Sequence, residues 1–106
     1  MAKPLTPAVF HVLLALAQGP LHGYAIMRAA RESAQSGGAM GPGTIYGTID
    51  RLLRQGWVRE LSSDDARKRV FELTNRGDEA LRNEARRILS LADVVRQRQI
   101  LTEESA

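Results

Sequence analysis

Residues 42–55 read PGTIYGTIDRLLRQ and have the periodicity of an amphipathic helix. At about 100° per residue, four aliphatic side chains fall within one arc of that helix. These four are Ile45, Ile49, Leu52 and Leu53. Pro42 suits a first helical turn, because the amide hydrogen that proline lacks has no helical partner there, and Gly56 suits the position after a helix end. The stretch is therefore predicted to be a helix with one buried side.

The opposite side of this helix carries residue types that suit a DNA groove. The residues expected there are Thr44, Gly47, Thr48, Arg51, Arg54 and Gln55, with no acidic side chain among them. Arginine bonds guanine edges or phosphates, and threonine offers a hydroxyl and a methyl group. Gly47 costs a helix about 1 kcal/mol relative to alanine, but its missing side chain lets a ligand come close. Tyr46 lies at the edge of the apolar arc, where its hydroxyl can reach a phosphate.

The segments on either side predict three helices, a β-hairpin and a last helix. The predicted helices cover about residues 7–18, 22–35, 42–55 and 75–101, and the strands cover about residues 57–61 and 69–73. Thr6 and Pro7 suit the start of the first helix, and the polar residues 62–66 suit a hairpin turn. The fold is thus predicted to be mainly α-helical with a small β-hairpin, a winged helix-turn-helix followed by a C-terminal helix. This order recurs in nucleic-acid-binding proteins.

The composition fits one small domain without catalytic or metal chemistry. Of 106 residues, 43% are hydrophobic, which is enough to form a core, and none is cysteine, which excludes disulfides and thiol chemistry. The two histidines, His11 and His22, lie near helical residues rather than in a cluster with carboxylates or a nucleophile. The glycines of residues 41–47 match neither a P-loop nor a dinucleotide-binding motif. We therefore expect no enzyme activity, catalytic residue, metal or cofactor.

The net charge of +3 is small, but three cations stand together at Arg67, Lys68 and Arg69. A cluster of this kind can contact a polyanion, although it is more often part of a solvated turn. The apolar residues 8–17 are similar to the core of a signal peptide, but they are too few to cross a bilayer. We predict a buried first helix in a cytoplasmic protein that does not associate with a membrane.

The last predicted helix carries an apolar stripe that so small a domain cannot cover alone. Leu81, Ile88 and Val95 recur every seven residues, and Ala85 and Ala92 fill the same stripe. We expect this stripe and the first helix to pack against a second subunit, because an exposed apolar stripe is unfavourable in water. The predicted interface consists of Phe10, Leu13, Leu14, Leu81, Ala85, Ile88, Ala92 and Val95. A helix folded back wholly on its own domain is the alternative.

Together these segments resemble the PadR family of bacterial winged-helix transcriptional regulators, and specifically its short-tailed members. The matching segments are residues 19–26 (GPLHGYAI), 42–46 (PGTIY), 51–52 (RL), 56–58 (GWV) and 67–74 (RKRVFELT), with Gly77. The resemblance extends from about Leu5 to Leu91. It implies a DNA-binding domain at residues 1–74, and a dimerisation helix with a frayed tail at residues 75–106. It also implies a homodimer that binds palindromic double-stranded operator DNA, usually as a repressor.

The resemblance implies that the helix with the PGTIY motif enters the major groove and that the basic wing contacts flanking phosphates. The predicted DNA contacts are Thr44, Tyr46, Gly47, Thr48, Arg51, Arg54, Arg67, Lys68 and Arg69. Gly47, Trp57 and Phe71 depart from the residues usual in the family. A small-molecule effector of unknown identity would also fit the family. The last helix has no aromatic residue, so we do not expect an aromatic pocket built on it.

Two alternatives remain open for the function. Residues 42–55 can instead form an ordinary surface helix with a solvated polar side, an interpretation that Asp50 favours. The chain would then be a winged-helix dimerisation or protein-interaction module without DNA binding, which its small net charge also allows. Steep weakening of DNA binding with salt would separate a DNA-binding regulator from such a module.

Overall fold

The computed structural model describes residues 4–35, 40–61, 65 and 67–101. The predicted hairpin turn at residues 62–66, apart from Asp65, and the predicted C-terminal tail at residues 102–106 lie outside these residues. The elements are α1 (Pro7–Ala15), β1 (Leu21–His22), α2 (Gly23–Ala34), α3 (Pro42–Gln55), β2 (Val58–Leu61), β3 (Val70–Leu73) and α4 (Asn75–Gln97). Four helices and a small antiparallel sheet confirm the predicted winged-helix fold.

Local hydrogen bonds explain where the helices begin and end. The hydroxyl of Thr6 accepts the backbone N–H of Val9 at 3.3 Å and caps α1, as predicted. Gly56 follows α3 with φ of 76°, a conformation that glycine adopts without strain. The helix α1 ends at Ala15, three residues earlier than expected, because residues 16–18 form a turn. The helix α4 ends at Gln97 rather than near residue 101.

The sheet has three strands, in the order β1-β3-β2, rather than the two strands that the sequence predicts. The strands β2 and β3 form the expected antiparallel pair, with Val58 opposite Leu73 and Leu61 opposite Val70. The extra strand β1 has only two residues and pairs with β3 on its other side. A segment this short shows no alternation of apolar and polar residues, so the sequence gives no signal for it.

The core lies where α1, α2 and α3 meet beneath the sheet. The largest side chains there that are almost completely inaccessible to solvent are Val12, Leu13, Ile26, Ile45, Leu52 and Val58. The helix α1 contacts α2, α3 and α4, which explains why it is apolar on nearly every side. Leu14 is the exception, since it lies on α1 and is 40% exposed.

The start of α4 packs tightly on the turn between α3 and β2. Thr74 donates its hydroxyl to the carbonyl of Gly56 at 2.6 Å, and accepts the N–H of Gly77 at 3.2 Å. A Cβ atom at Gly77 would lie 2.0 Å from the carbonyl oxygen of Trp57. Only glycine therefore fits at this position, because the atom in the way belongs to the backbone.

A buried carboxylate fastens the middle of α4 to the segment that enters α1. Glu84 is 6% exposed and accepts the backbone N–H of Leu5 at 3.1 Å. Arg87 donates to both carboxylate oxygens of Glu84, at 2.7 and 2.9 Å. The hydrogen bond from Arg87 lowers the pKa of Glu84, against the opposing effect of burial, and the Leu5 bond acts in the same direction. We call this group the Glu84 clasp.

Gly77→Ala should destabilise the fold by about 3 kcal/mol or more, because the added methyl group would push the start of α4 away from the backbone of Trp57. Urea unfolding followed by circular dichroism measures the change. Gly47→Ala is the matched control, because a Cβ at Gly47 would meet nothing within 4 Å. That control should leave stability unchanged or raise it by up to about 1 kcal/mol. Equal effects of the two substitutions would contradict this account of Gly77.

Glu84→Gln should lower the free energy of unfolding near neutral pH by about 1 kcal/mol, since Arg87 loses a charged partner. Because folding lowers the pKa of Glu84, its contribution is complete above the ordinary value and is lost as pH falls through the folded value. The free energies of unfolding of wild type and variant should therefore become equal in acid. Urea titrations from pH 7 to pH 3 measure this, with the exposed Glu79→Gln as control. A difference independent of pH would refute a role for the charge.

Candidate nucleic-acid interface

One side of α3 faces solvent and carries most of the predicted DNA contacts. The exposed residues of α3 are Pro42, Gly43, Thr44, Tyr46, Gly47, Asp50, Arg51, Arg54 and Gln55. Ile45, Ile49 and Leu52 are buried, as their spacing predicts. Of the residues predicted on α3, Thr44, Tyr46, Gly47, Arg51 and Arg54 thus share one accessible side of the helix.

Thr48 does not lie on this exposed side, so the prediction that it faces outward is wrong. It is only 2% exposed, and its hydroxyl donates to the carbonyl of Thr44 at 2.8 Å. It follows Ile45 by three residues and precedes Leu52 by four, which places it on the buried side. Together with Thr6, Pro7 and Ala8 at the start of α1, Thr48 lines a small cavity beside α3.

The expectation of an exposed side without acids is also wrong, because Asp50 is exposed there. It lies one turn after Tyr46 and one turn before Arg54. Its charge also reaches the wing, since it contributes to the raised pKa of Arg69. The exposed side of α3 is therefore mixed in charge at its centre.

Tyr46 is held where α2, α3 and β3 meet. It is 42% exposed, and a Cβ atom at Gly23 would lie 3.2 Å from its ring. The same Cβ atom would lie 3.6 Å from the ring of Phe71. Gly23 also donates its N–H to the carbonyl of Arg69 at 3.3 Å. The absent side chain of Gly23 thus leaves room for Tyr46 next to the wing strand.

The cations near this side differ in how strongly the protein holds them. Among the residues that the structure describes, none forms an ion pair with Arg51, Arg54 or Lys68, and all three are exposed. The side chain of Arg67 is 94% exposed and lies 3.6 Å from the carboxylate of Asp65. These four cations are therefore accessible to an external anion.

Arg69 is engaged within the protein. Its guanidinium donates to both carboxylate oxygens of Glu60, at 3.0 and 2.9 Å, and lies 5.2 Å from the centre of the Phe71 ring. The hydrogen bond from Arg69 lowers the pKa of Glu60, and the same bond raises the pKa of Arg69. Arg69 thus forms a two-bond ion pair with Glu60. Arg67 and Lys68 form no such pair with Glu60 among the described residues.

The predicted dimer contacts fall into three groups by burial. Leu13 and Leu81 are 0% and 6% exposed inside their own domain, which leaves little of either side chain to contact a partner. Phe10, Ala85 and Ala92 are half-buried. Leu14, Ile88 and Val95 are 37–40% exposed. Sequence spacing alone could not separate these groups, because the first half of α4 packs on its own domain and the second half does not.

A cavity of about 820 Å³ lies between the start of α1, the end of α3 and the first half of α4. Arg51 and Gln55 reach it from α3, and half-buried Trp57 forms part of its wall. Arg76 and Arg87 line it from α4. The cavity therefore joins the exposed side of α3 to the Glu84 clasp.

Of the two histidines, His11 makes a local side-chain contact and His22 lies at the start of α2. The Nδ1 atom of His11 lies 2.6 Å from the hydroxyl of Ser33, and burial lowers the pKa of His11. His22 precedes α2 at its N-cap position without a side-chain capping bond. Within the described ranges, no group of three histidines and carboxylates could hold a metal ion. No helix in the same ranges is long and apolar enough to cross a membrane.

A three-helix core, a small wing and an exposed polar side on the third helix define a winged helix-turn-helix protein. The model of the transcriptional regulator PadR-like family matches residues 12–83. The chain belongs to this family, whose members are DNA-binding transcriptional regulators rather than enzymes.

Three known proteins show how far this similarity extends. An uncharacterised 37.1 kDa protein in transposon TN4556 of Streptomyces fradiae is 46% identical over 81 residues, which are 76% of this chain and 23% of that protein. The chain thus spans about a quarter of that relative. RosR of H. salinarum is 29% identical, with a TM-score of 0.71 over 85% of this chain and 79% of its own. Bordetella bronchiseptica BpsR, whose DNA binding is regulated by 6-hydroxynicotinic acid, is 25% identical, with a TM-score of 0.69 over 95% of this chain and 70% of its own.

Proposed function

We propose that this protein is a homodimeric repressor that binds palindromic operator DNA, with α3 in the major groove and the wing at flanking phosphates. The observation that carries the proposal is the exposed side of α3, where Arg51 and Arg54 lie unpaired among the described residues. A stable domain gains little from two free guanidinium groups on one helix side, whereas DNA provides phosphates and guanine edges for both.

Three further residues of α3 fit this placement. Thr44 is exposed near the helix start, where it can contact the sugar-phosphate backbone or a base. Gly47 has open space at the position of a Cβ atom, so the helix can approach the groove closely. Tyr46, held beside Gly23, is 42% exposed and so is accessible to a phosphate.

The wing supplies the second set of proposed contacts. Arg67 and Lys68 are exposed just before β3 and can each neutralise a phosphate. Arg69 keeps its bonds to Glu60, so we expect it to position the wing and contribute less to phosphate binding.

The second half of α4 is the proposed dimer contact. The exposed apolar residues there are Ile88, Leu89, Leu91, Val94 and Val95, and Ile100 and Leu101 follow just after the helix. A small monomer rarely leaves so large an apolar surface in water, and a twofold axis lets the same surface cover its own copy. Leu14 of α1, which is exposed, and half-buried Phe10 would extend the contact.

A small-molecule effector stays a prediction of the family resemblance. The cavity beside Arg51 has a volume in the range of small-molecule sites.

We also expect the protein to act in the cytoplasm, because a regulator of this kind must reach the chromosome. An interaction module without DNA binding is the competing proposal, and salt dependence separates the two.

Wild-type protein should bind duplex DNA with an affinity that falls steeply with salt, and Arg51→Ala and Arg54→Ala should each reduce the log–log slope by about one. Fluorescence anisotropy of a labelled duplex from the region upstream of the gene measures this at several salt concentrations. Arg86→Ala is the matched control, because it removes the same charge from an exposed position on α4. Absence of DNA binding at low salt would favour the interaction module.

Val95→Asp should convert the dimer into a folded monomer, because it places a charge in the proposed apolar contact without disturbing the core. Sedimentation equilibrium measures the mass, and circular dichroism checks the fold. Asn83→Asp introduces the same charge at an exposed position in the first half of α4, outside the proposed contact, and should remain dimeric. Monomeric wild-type protein at micromolar concentration would contradict the proposed assembly.

A further inference from the structure

Asp50 occupies the centre of the exposed side of α3. At about 100° per residue, Gly43, Gly47, Asp50 and Arg54 lie within an arc of roughly 60° along the helix. All four are exposed, and the buried residues lie on the other side. A helix that enters a groove with this side first brings Asp50 towards the groove floor. This step rests on the proposed DNA binding by α3.

The neighbours of Asp50 allow its short side chain to reach a base. Gly43 and Gly47 occupy the two preceding turns, and Cβ atoms at both positions would meet nothing within 4 Å. Larger side chains there would hold the helix away from the duplex, and a carboxylate on a single methylene could not span that gap. Arg54, one turn later, has a longer side chain that can reach a base or a phosphate from the same position.

The chemistry of a carboxylate restricts what Asp50 can contact in DNA. It is an acceptor without a donor when ionised, so it repels phosphates and also the acceptor atoms of guanine and thymine. Cytosine offers its N4 amino group in the major groove as a donor. Adenine offers a donor too, but places the N7 acceptor beside it. Cytosine is therefore the base that a carboxylate at this position matches best.

The protein partly offsets the cost of an anion at a DNA surface. Arg69 lies close enough to Asp50 for their charges to interact, and Glu60 holds its guanidinium in place. This compensation is incomplete, since Arg69 is shared between the two carboxylates. On DNA without a matching cytosine, Asp50 would stay unpaired among phosphates, which penalises the wrong sequence.

We propose that Asp50 is a specificity-determining residue that selects a cytosine in each half-site and weakens binding to all other sequences. Its carboxylate accepts from the cytosine N4 amino group. It also penalises binding wherever that group is absent.

Selection from a random pool of duplexes, followed by sequencing, tests this with the full-length dimer. Wild type should select one invariant C·G pair in each half-site, and changing that cytosine to thymine should weaken binding about tenfold to hundredfold. Asp50→Ala should accept any base at this position and leave the other selected positions unchanged. Asp50→Asn should change the preference to adenine, whose donor and acceptor match an amide.

Asp93→Ala is the control for charge, because Asp93 is an exposed acid on α4 that pairs with Arg96. It should select the wild-type sequence, even if loss of an acid raises affinity for DNA in general. Identical sequences selected by wild type and Asp50→Ala would overturn the inference while leaving DNA binding by α3 intact. If wild-type protein selects no sequence from the pool, the proposed function itself is overturned.

Discussion

The candidate interface depends on the packing of one side of α3 into the core. Ile45, Ile49 and Leu52 are within 2% of complete burial, and they fix the rotation of the helix about its axis. Once that rotation is fixed, the exposed residues follow from the 3.6-residue repeat. Thr48 can also lie on the buried side, because its hydroxyl donates to the carbonyl of Thr44 and therefore adds no unpaired polar group to the core. The same helix can thus serve as core and as exposed surface.

Glycine allows close packing at two places that orient the surfaces around α3. At Gly77 the start of α4 lies against the backbone of Trp57, so α4 leaves the wing in one direction only. At Gly23 the start of α2 leaves space for Tyr46, and the N–H of Gly23 donates to the carbonyl of Arg69 just before β3. Neither position has a positive φ, so the reason for glycine is the approach of another chain segment and not the backbone conformation. Wing, α3 and α4 are therefore held as one unit.

The sequence predicted the helices and the wing because their signals are local. The bounds of α3 agree to the residue, since Pro42 and Gly56 mark its ends in the sequence itself. The exposed side was predicted less well, because the covered arc of a helix depends on its neighbours. The spacing assigns Thr48 to solvent although it is buried, and it leaves out Asp50 although that residue is exposed. The Glu84 clasp joins residues 79 positions apart, and no spacing rule connects an acid in α4 with a backbone amide before α1.

The two halves of α4 have different surroundings, and this difference connects the proposed dimer to the proposed DNA contacts. The first half is fastened to its own domain through Gly77, Leu81 and the Glu84 clasp. The second half carries exposed apolar residues beyond the last of these contacts. The whole of α4 has 23 residues and is therefore roughly 34 Å long, similar to one turn of DNA. If two copies associate through the second halves, the clasp fixes the angle at which each domain projects from the twofold axis. A change in that angle would move the two α3 helices out of register with successive major grooves, so regulation of DNA binding would not require any change at α3 itself.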